Sequence, residues 1–193
     1  MLTGVGCFEK EFDSVYADPG EGITLAMREL LNTGHKNICL LNCSSRVDSR
    51  DLRGEAFRRA LAEAGLPFLE KWDILSSSNN GASAYKAFRA FWEAGSRPDA
   101  IAAANGQSAL GAMRYLYEIG VRVPDEISII AYEDSSVCGY ATPALTSVNI
   151  RKEEMGRQAA QCLLQRIRDP EREIRNITIP PYMVYRDSVK SQS

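Results

Sequence analysis

The amino-acid sequence predicts a doubly wound α/β fold of parallel sheets with helices on both faces. Two observations predict it. Short apolar runs alternate with amphipathic helical stretches along nearly the whole chain, and glycine or proline marks most of the junctions. Such alternation implies parallel strands joined by right-handed crossovers. In order, "SVYA" is a short strand ending before Asp18. Ile23, Met27, Leu30 and Leu31 then mark one face of a helix over residues 20–33, with Gly34 as its left-handed cap. "KNICLLN" reads as a buried strand. A second helix carries Leu52, Ala56, Phe57, Ala60, Leu61 and Ala64, and stops at Gly65 before the breaker Pro67. "FLEKWDIL" is the next strand candidate. From Gly81 a third helix presents Tyr85, Phe88 and Trp92 as a core face and ends at Gly95; "DAIAAAN" follows as a short buried strand. The fourth helix, "QSALGAMRYLYEIG", ends at Gly120. "VRVPDEISIIAYEDS" is a proline turn, a buried strand through Ile127, Ile129 and Ile130, and two acids, Glu133 and Asp134. "PALTSV", a helix over 152–168 and the strand-like tail "IRNITIPPYMVYR" complete the chain.

The bulk properties exclude several function classes. With 193 residues, 45% of them hydrophobic and 25% charged, the chain can bury a core without staples. No apolar run approaches the roughly 20 residues of a membrane helix, and no secretory pattern opens the chain, so a cytoplasmic location without membrane partners is expected. A net charge of −2 argues against this region alone gripping a phosphate backbone. Five scattered cysteines, Cys7, Cys39, Cys43, Cys138 and Cys162, fit free thiols in a reducing compartment. Cys39 and Cys43 lack a second Cys or His pair, so no metal site is expected. The single histidine, His35, follows a cap glycine and reads as a hydrogen-bonded turn residue.

In doubly wound sheets the ligand sits outside the carboxyl ends of the strands. The residues there are Asp18, Ser44 to Arg46, Asn105, and Glu133 with Asp134; Arg53, early in the second helix, faces the same end. No nucleophile and base stand together among them, so neither catalysis nor a cofactor is expected. Adjacent strand residues point to opposite faces, so Glu133 and Asp134 are not an acid/base couple. An arginine, an asparagine and a carboxylate together bind hydroxyls, which suits a sugar, a nucleobase or a small organic acid. Each residue also has a purely structural role open to it. Arg53 can pair with Asp51 or Glu55 on the surface, Asn105 can cap the helix that follows, and Asp18 can orient the helix after it. Glu133 can simply be a solvated acid at the strand end, and Asp134 a loop anchor. Arg166 to Arg175 reads as a solvated, mixed-charge turn.

Five segments carry a resemblance: "LLNTGHKNICLL", "RGEAFRRALAEAG", "ANGQSALGAMRYLYEIGVRVPDEISIIAYED", "TPALTSV" and "YRDS". In this order the chain resembles the effector-binding part of the lactose/galactose repressor (LacI/GalR) family of transcriptional regulators, over nearly its whole length. The resemblance implies a periplasmic-binding-protein-like (type I) fold: two α/β subdomains, a ligand cleft between them, and three crossings of the chain. By that pattern residues 1–34 and 149–166 form a partial N-terminal subdomain, and 35–148 with 167–193 the C-terminal, effector-binding one. The N-terminal subdomain is then incomplete, and residues 1–34 are expected to pack abnormally or to pair with another copy. Arg53, Asn105 and Glu133 match the family's effector-binding positions, and a position near Ser76, often aromatic in relatives, is polar here. Gly106, Ala131 and Glu133 depart from the usual Asp, Gly and Asp. The helix bearing Leu110, Met113, Leu116 and Tyr117 is apolar over more than one face. In the family this region helps form a two-fold dimer, which implies a homodimer contact through Leu110, Met113, Tyr117 and Tyr140. The implied function is effector sensing, with a small-molecule partner, a carbohydrate by preference, and operator DNA reached only through a headpiece outside this sequence. The alternative is a periplasmic-type sugar-binding protein of an uptake system.

Overall fold

Side-chain alternation along the apolar strands sorts the molecule into layers. The computed structural model describes residues 2–3, 11–43 and 51–190. Its elements are β1 (Leu2–Thr3), β2 (Ser14–Tyr16), α1 (Pro19–Asn32), β3 (Ile38–Cys43), α2 (Leu52–Glu63), a 3₁₀ turn at Glu70–Trp72, β4 (Asp73–Ser76), α3 (Gly81–Glu93), β5 (Ala100–Ala103), α4 (Gly106–Glu118), β6 (Ser128–Tyr132), α5 (Ser136–Tyr140), β7 (Thr146–Asn149), α6 (Lys152–Arg168), β8 (Asn176–Thr178) and β9 (Tyr182–Val184). Six strands form one sheet in the order β4-β3-β5-β6-β7-β9, and β1-β2-β8 form a second. All pairings are parallel except β9 against β7, an antiparallel strand at the edge.

In the large sheet Ile38, Leu40, Ala100, Ala102, Ile130 and Tyr132 join a core with α1 and α2. Their neighbours Cys39, Leu41, Ile101, Ala103, Ile129 and Ala131 turn to the other face, among residues of α3 and α4. This period of two is what places a helix layer on each side. Helix ends follow local chemistry. Asp18 caps α1, its Oδ1 accepting from the Gly20 N–H at 2.7 Å, with Pro19 at the first helical position. Gly34, Gly65, Gly95 and Gly120 follow α1, α2, α3 and α4 with φ of 93°, 68°, 88° and 76°, left-handed backbone that glycine adopts without a Cβ penalty.

The chain crosses between the two sheets after β2, after β7 and after β8. The N-terminal boundary falls between β2 and α1 rather than at residue 34. Ile23, Ala26, Met27 and Leu30 are fully buried, and α1 lies against α2 and the large sheet, so it is a regular core helix and not an abnormally packed segment. Residues 1 and 4–10 lie outside the described residues. The tail divides as well: β8 pairs with β2 in the small sheet, and β9 returns to the large one. "FLEKWDIL" is strand only from Asp73, because Glu70–Trp72 close a 3₁₀ turn first. The short helix α5 carries too few residues to show a helical period in the sequence.

The run Arg166 to Arg175 is largely exposed, as a solvated, mixed-charge turn should be, but two of its arginines turn inward. Arg166 and Arg172 converge on Asp13, whose carboxylate accepts from Arg166 Nε and Nη2 at 3.0 Å each, Arg172 Nη2 at 2.7 Å and the Arg175 N–H at 2.8 Å. The acid side chain is only 2% exposed. This ion cluster joins β2 to the loop between α6 and β8.

Candidate functional site

From β3 the chain winds to β4 on one side and to β5 on the other, so the topological switch point lies between β3 and β5. The carboxyl end of β3 runs into residues 44–50, and Ser44 to Arg46 therefore lie outside the described residues. The other tips are defined. Ala103 of β5 is in register with Ala131 of β6, and two residues further along each strand stand Asn105 and Glu133.

Arg53 enters from the first turn of α2. Its guanidinium lies over the Tyr132 ring, 5.4 Å from the centroid, a cation–π arrangement. Its Nε is buried and has no hydrogen-bond partner among the described residues. A buried donor without an acceptor costs about 1–3 kcal/mol, and such groups are rare in folded proteins. The surface pairing with Asp51 is not what forms: Asp51 caps α2 through the Gly54 N–H, accepts from Asn42, and lies 3.9 Å from Arg58. Tyr132 is itself positioned by Gly22 of α1, where a Cβ would lie 2.2 Å from the ring. Burial pushes the Tyr132 phenol well above its ordinary value; the Arg53 charge opposes that rise, and Glu133, Asp18 and Glu21 add to it.

Glu133 has φ 66°, a left-handed backbone rare for a residue with a side chain. Such a conformation costs on the order of 1–3 kcal/mol and clusters at ligand sites. Its half-exposed carboxylate stands 4.0 Å from Lys152 Nζ at the start of α6. Asp134 is separate from it in role. Burial alone would raise its carboxyl, but hydrogen bonds from Ser147, Asn149 and Arg186 outweigh burial and leave it below the usual carboxylate range. Asp134 is the loop anchor.

Asn105 caps α4 by accepting from the Ser108 N–H at 2.8 Å, and its amide donates to Asn79 Oδ1. Both ends of the side chain are therefore oriented. Asn79 is exposed, and strand and helix periodicity did not single it out; the polar run after β4 was the available signal. Ser76 belongs elsewhere: it is 0% exposed, and its hydroxyl donates to the Asn42 and Ser78 carbonyls. Its position at the end of β4 turns it into the fold, so it is not available to a ligand. Asp18 serves as the α1 cap and borders a depression of about 250 Å³ with Glu21, Thr24, Leu52 and Arg59.

His35 is buried and fixed, with Nε2 2.8 Å from Ser128 Oγ and Nδ1 3.0 Å from the Leu30 carbonyl oxygen. Cys39, Cys138 and Cys162 are free thiols in the interior; Cys7 lies outside the described residues. Burial raises the Cys39 and Cys138 thiols above their ordinary value, which keeps them protonated. Among the described residues no group of three His, Cys, Asp or Glu could hold a metal ion, and no helix is long and apolar enough to cross a membrane.

Comparison with known proteins agrees with this frame. Residues 27–189 match the family model of a periplasmic binding protein-like domain. The chain is 34% identical over 178 residues to the HTH-type transcriptional repressor PurR of Vibrio parahaemolyticus, covering 92% of this chain and 53% of that protein. A transcriptional regulator CelR–cellobiose complex superposes with a TM-score of 0.88 at 29% identity, over 97% of this chain and 58% of that one. A LacI family regulator from Enterococcus faecium with bound ribose superposes with a TM-score of 0.86 at 28% identity, over 100% of this chain and 70% of that one. The chain spans about half the length of the curated relatives it matches. The chain belongs to the family of periplasmic binding protein-like domains, and the relatives it matches are transcriptional regulators, LacI-family ones among them.

Proposed function

We propose that this chain is the effector-sensing and dimerisation region of a DNA-binding regulator acting in the cytoplasm, and that it binds a small polyhydroxylated molecule, a carbohydrate by preference. The observation that carries the reading is the buried Arg53 Nε, an orphaned donor beside the strand tip where Glu133 holds a strained backbone. Arg53 supplies donors, Glu133 accepts from hydroxyls, and Asn105 with Asn79 lines the neighbouring tip. Sugars bound to two of the similar structures support the ligand class. Binding shifts the orientation of the two sheets, and a separate headpiece carries that shift to operator DNA. The relatives are regulators, and no catalytic role is proposed.

A thermal-shift screen against ribose, cellobiose, sugar acids and nucleobases tests this, since ligand at 100 times its dissociation constant adds about 2.7 kcal/mol. Glu133→Ala is expected to abolish most of the best ligand's shift. An undiminished shift would remove Glu133 from the site.

The proposed function includes a homodimer through α4 and α5. Tyr117 and Tyr140 are 85% and 89% exposed, and Leu110 and Met113 of α4 are half-buried. Met113 and Tyr117 also line a groove of about 410 Å³ with Thr142 and Pro143. Large exposed aromatics of this kind mark interfaces. Met113→Glu is expected to convert the dimer to monomer in sedimentation velocity; unchanged sedimentation would place the interface elsewhere.

A further inference from the structure

The crossings between the two sheets contain a second strained residue. Arg151 lies between β7 and α6 with φ 52° and ψ 51°, left-handed and not glycine, at the N-cap position of α6. Its side chain does not cap that helix. Instead Nε donates to the Pro180 carbonyl at 3.1 Å, and the guanidinium lies over the Tyr182 ring at 4.8 Å. Pro180 lies in the crossing from β8 to β9, and Tyr182 opens β9. One side chain thus ties two of the three crossings together.

The backbone of Arg151 is held from the other side. Its N–H donates to Asn149 Oδ1 at 2.7 Å, and Asn149 Nδ2 donates to Asp134 Oδ2 at 3.0 Å. Asp134 is fixed by Ser147 and Arg186, and it directly follows Glu133. Lys152, next to Arg151, lies 3.5 Å from the Glu133 carbonyl oxygen. The left-handed residue at the crossing and the left-handed residue at the strand tip therefore share one short polar network. Left-handed backbone persists where its surroundings over-determine it, and here the surroundings are these bonds.

We propose that Arg151 is the positioning residue of a latched joint between the two sheets, and that Asn149, anchored on Asp134, sets the latch. The joint is a property of the free protein and goes beyond the ligand reading. Only its response to an occupant of Glu133 rests on that reading. With the latch closed, the β7–α6 and β8–β9 crossings move as one body. With it open, the small sheet turns more freely about the large one.

Amide hydrogen exchange on the ligand-free chain tests the joint, whatever the ligand. The reporters are Ile179, whose N–H donates to the Tyr16 carbonyl, and Tyr182–Val184 of β9. The buried strand β5 is the reference. Arg151→Asn tolerates left-handed backbone but is too short to reach Pro180. It is expected to speed exchange at the reporters roughly tenfold while β5 is unchanged. Asn149→Ala removes the side chain that joins Asp134 to the Arg151 N–H. Because Asn149 stands opposite Tyr182 in the β7–β9 ladder, its effect is read at Ile179. There it is expected to match that of Arg151→Asn, and the double variant to do no more than either single one. Unchanged reporters, equal acceleration at β5, or additive effects in the double variant would each overturn the proposal. Failure of the ligand screen with the exchange result intact would sink the ligand reading and leave the joint standing.

Discussion

Replacing Asp13 by alanine is expected to destabilise the protein by about 3–5 kcal/mol, the scale of removing one partner from a buried ion pair. The carboxylate receives four hydrogen bonds from Arg166, Arg172 and Arg175. Among the described residues Arg172 already has Nε and Nη1 buried without partners, and its side chain is 10% exposed. Without the acid, two guanidinium groups face each other in a poorly solvated pocket. Urea denaturation checks the loss, and a change below about 1 kcal/mol, the scale of an exposed pair, would refute the cluster's role.

The same cluster has a pH signature. The Arg166 hydrogen bond above all, against the opposing effect of burial, together with the Arg175 N–H and the charges of Arg172 and Arg166, holds the Asp13 carboxyl at about 2 against an ordinary 3.8. A depressed value in the folded state means that the stabilisation is fully present above the unfolded value and is lost as pH falls through the folded one. The stability gap between the native chain and Asp13→Asn is therefore expected to be constant above about pH 4 and to close toward pH 2. A gap that persists at pH 2 would assign the effect to shape rather than charge.

Tyr132→Ala is the second large effect, expected at about 3–5 kcal/mol, as for other large aromatic side chains removed from a core. The ring is 3% exposed and fills the space that Gly22 leaves open beneath α1. It is also the surface on which Arg53 rests. Tyr132→Ala should therefore release Arg53 and weaken ligand binding beyond the loss of stability, whereas Tyr132→Phe keeps the ring face and should preserve both. Thermal melts with and without the best screened ligand separate the two consequences. Equal binding by the alanine variant and the native chain would mean that the stacking does not orient Arg53.

The helices were legible because their signals are local. Apolar residues at helical spacing and a glycine just past the end are set within one or two turns of chain, and Gly34, Gly65, Gly95 and Gly120 all proved left-handed. Helix α6 occupies Lys152–Arg168, as its periodicity implied. For the candidate site the sequence offered positions rather than orientations. Asn105 and Glu133 follow strand ends and Arg53 lies in the first turn of α2, but Ser76 turned inward and Asn79, three residues on, is the polar group that meets Asn105. A loop can rotate its residues by any amount after a strand ends, so periodicity says nothing about which one faces out.

Sequence by itself determined the α/β class, the main helices and the alternation of strands with them, the family and the edge of the sheet that carries the polar tips. Tertiary structure decided which sheet α1 and β8 join, the convergence of Arg166 and Arg172 on an acid 153 and 159 residues away, and the left-handed pair Glu133 and Arg151 at a tip and a crossing. The physical reason is range. Periodicity and capping are interactions between residues a few positions apart, whereas a buried charge finds its partner, and a strained backbone its support, only when distant segments are brought together by the closing of the sheets.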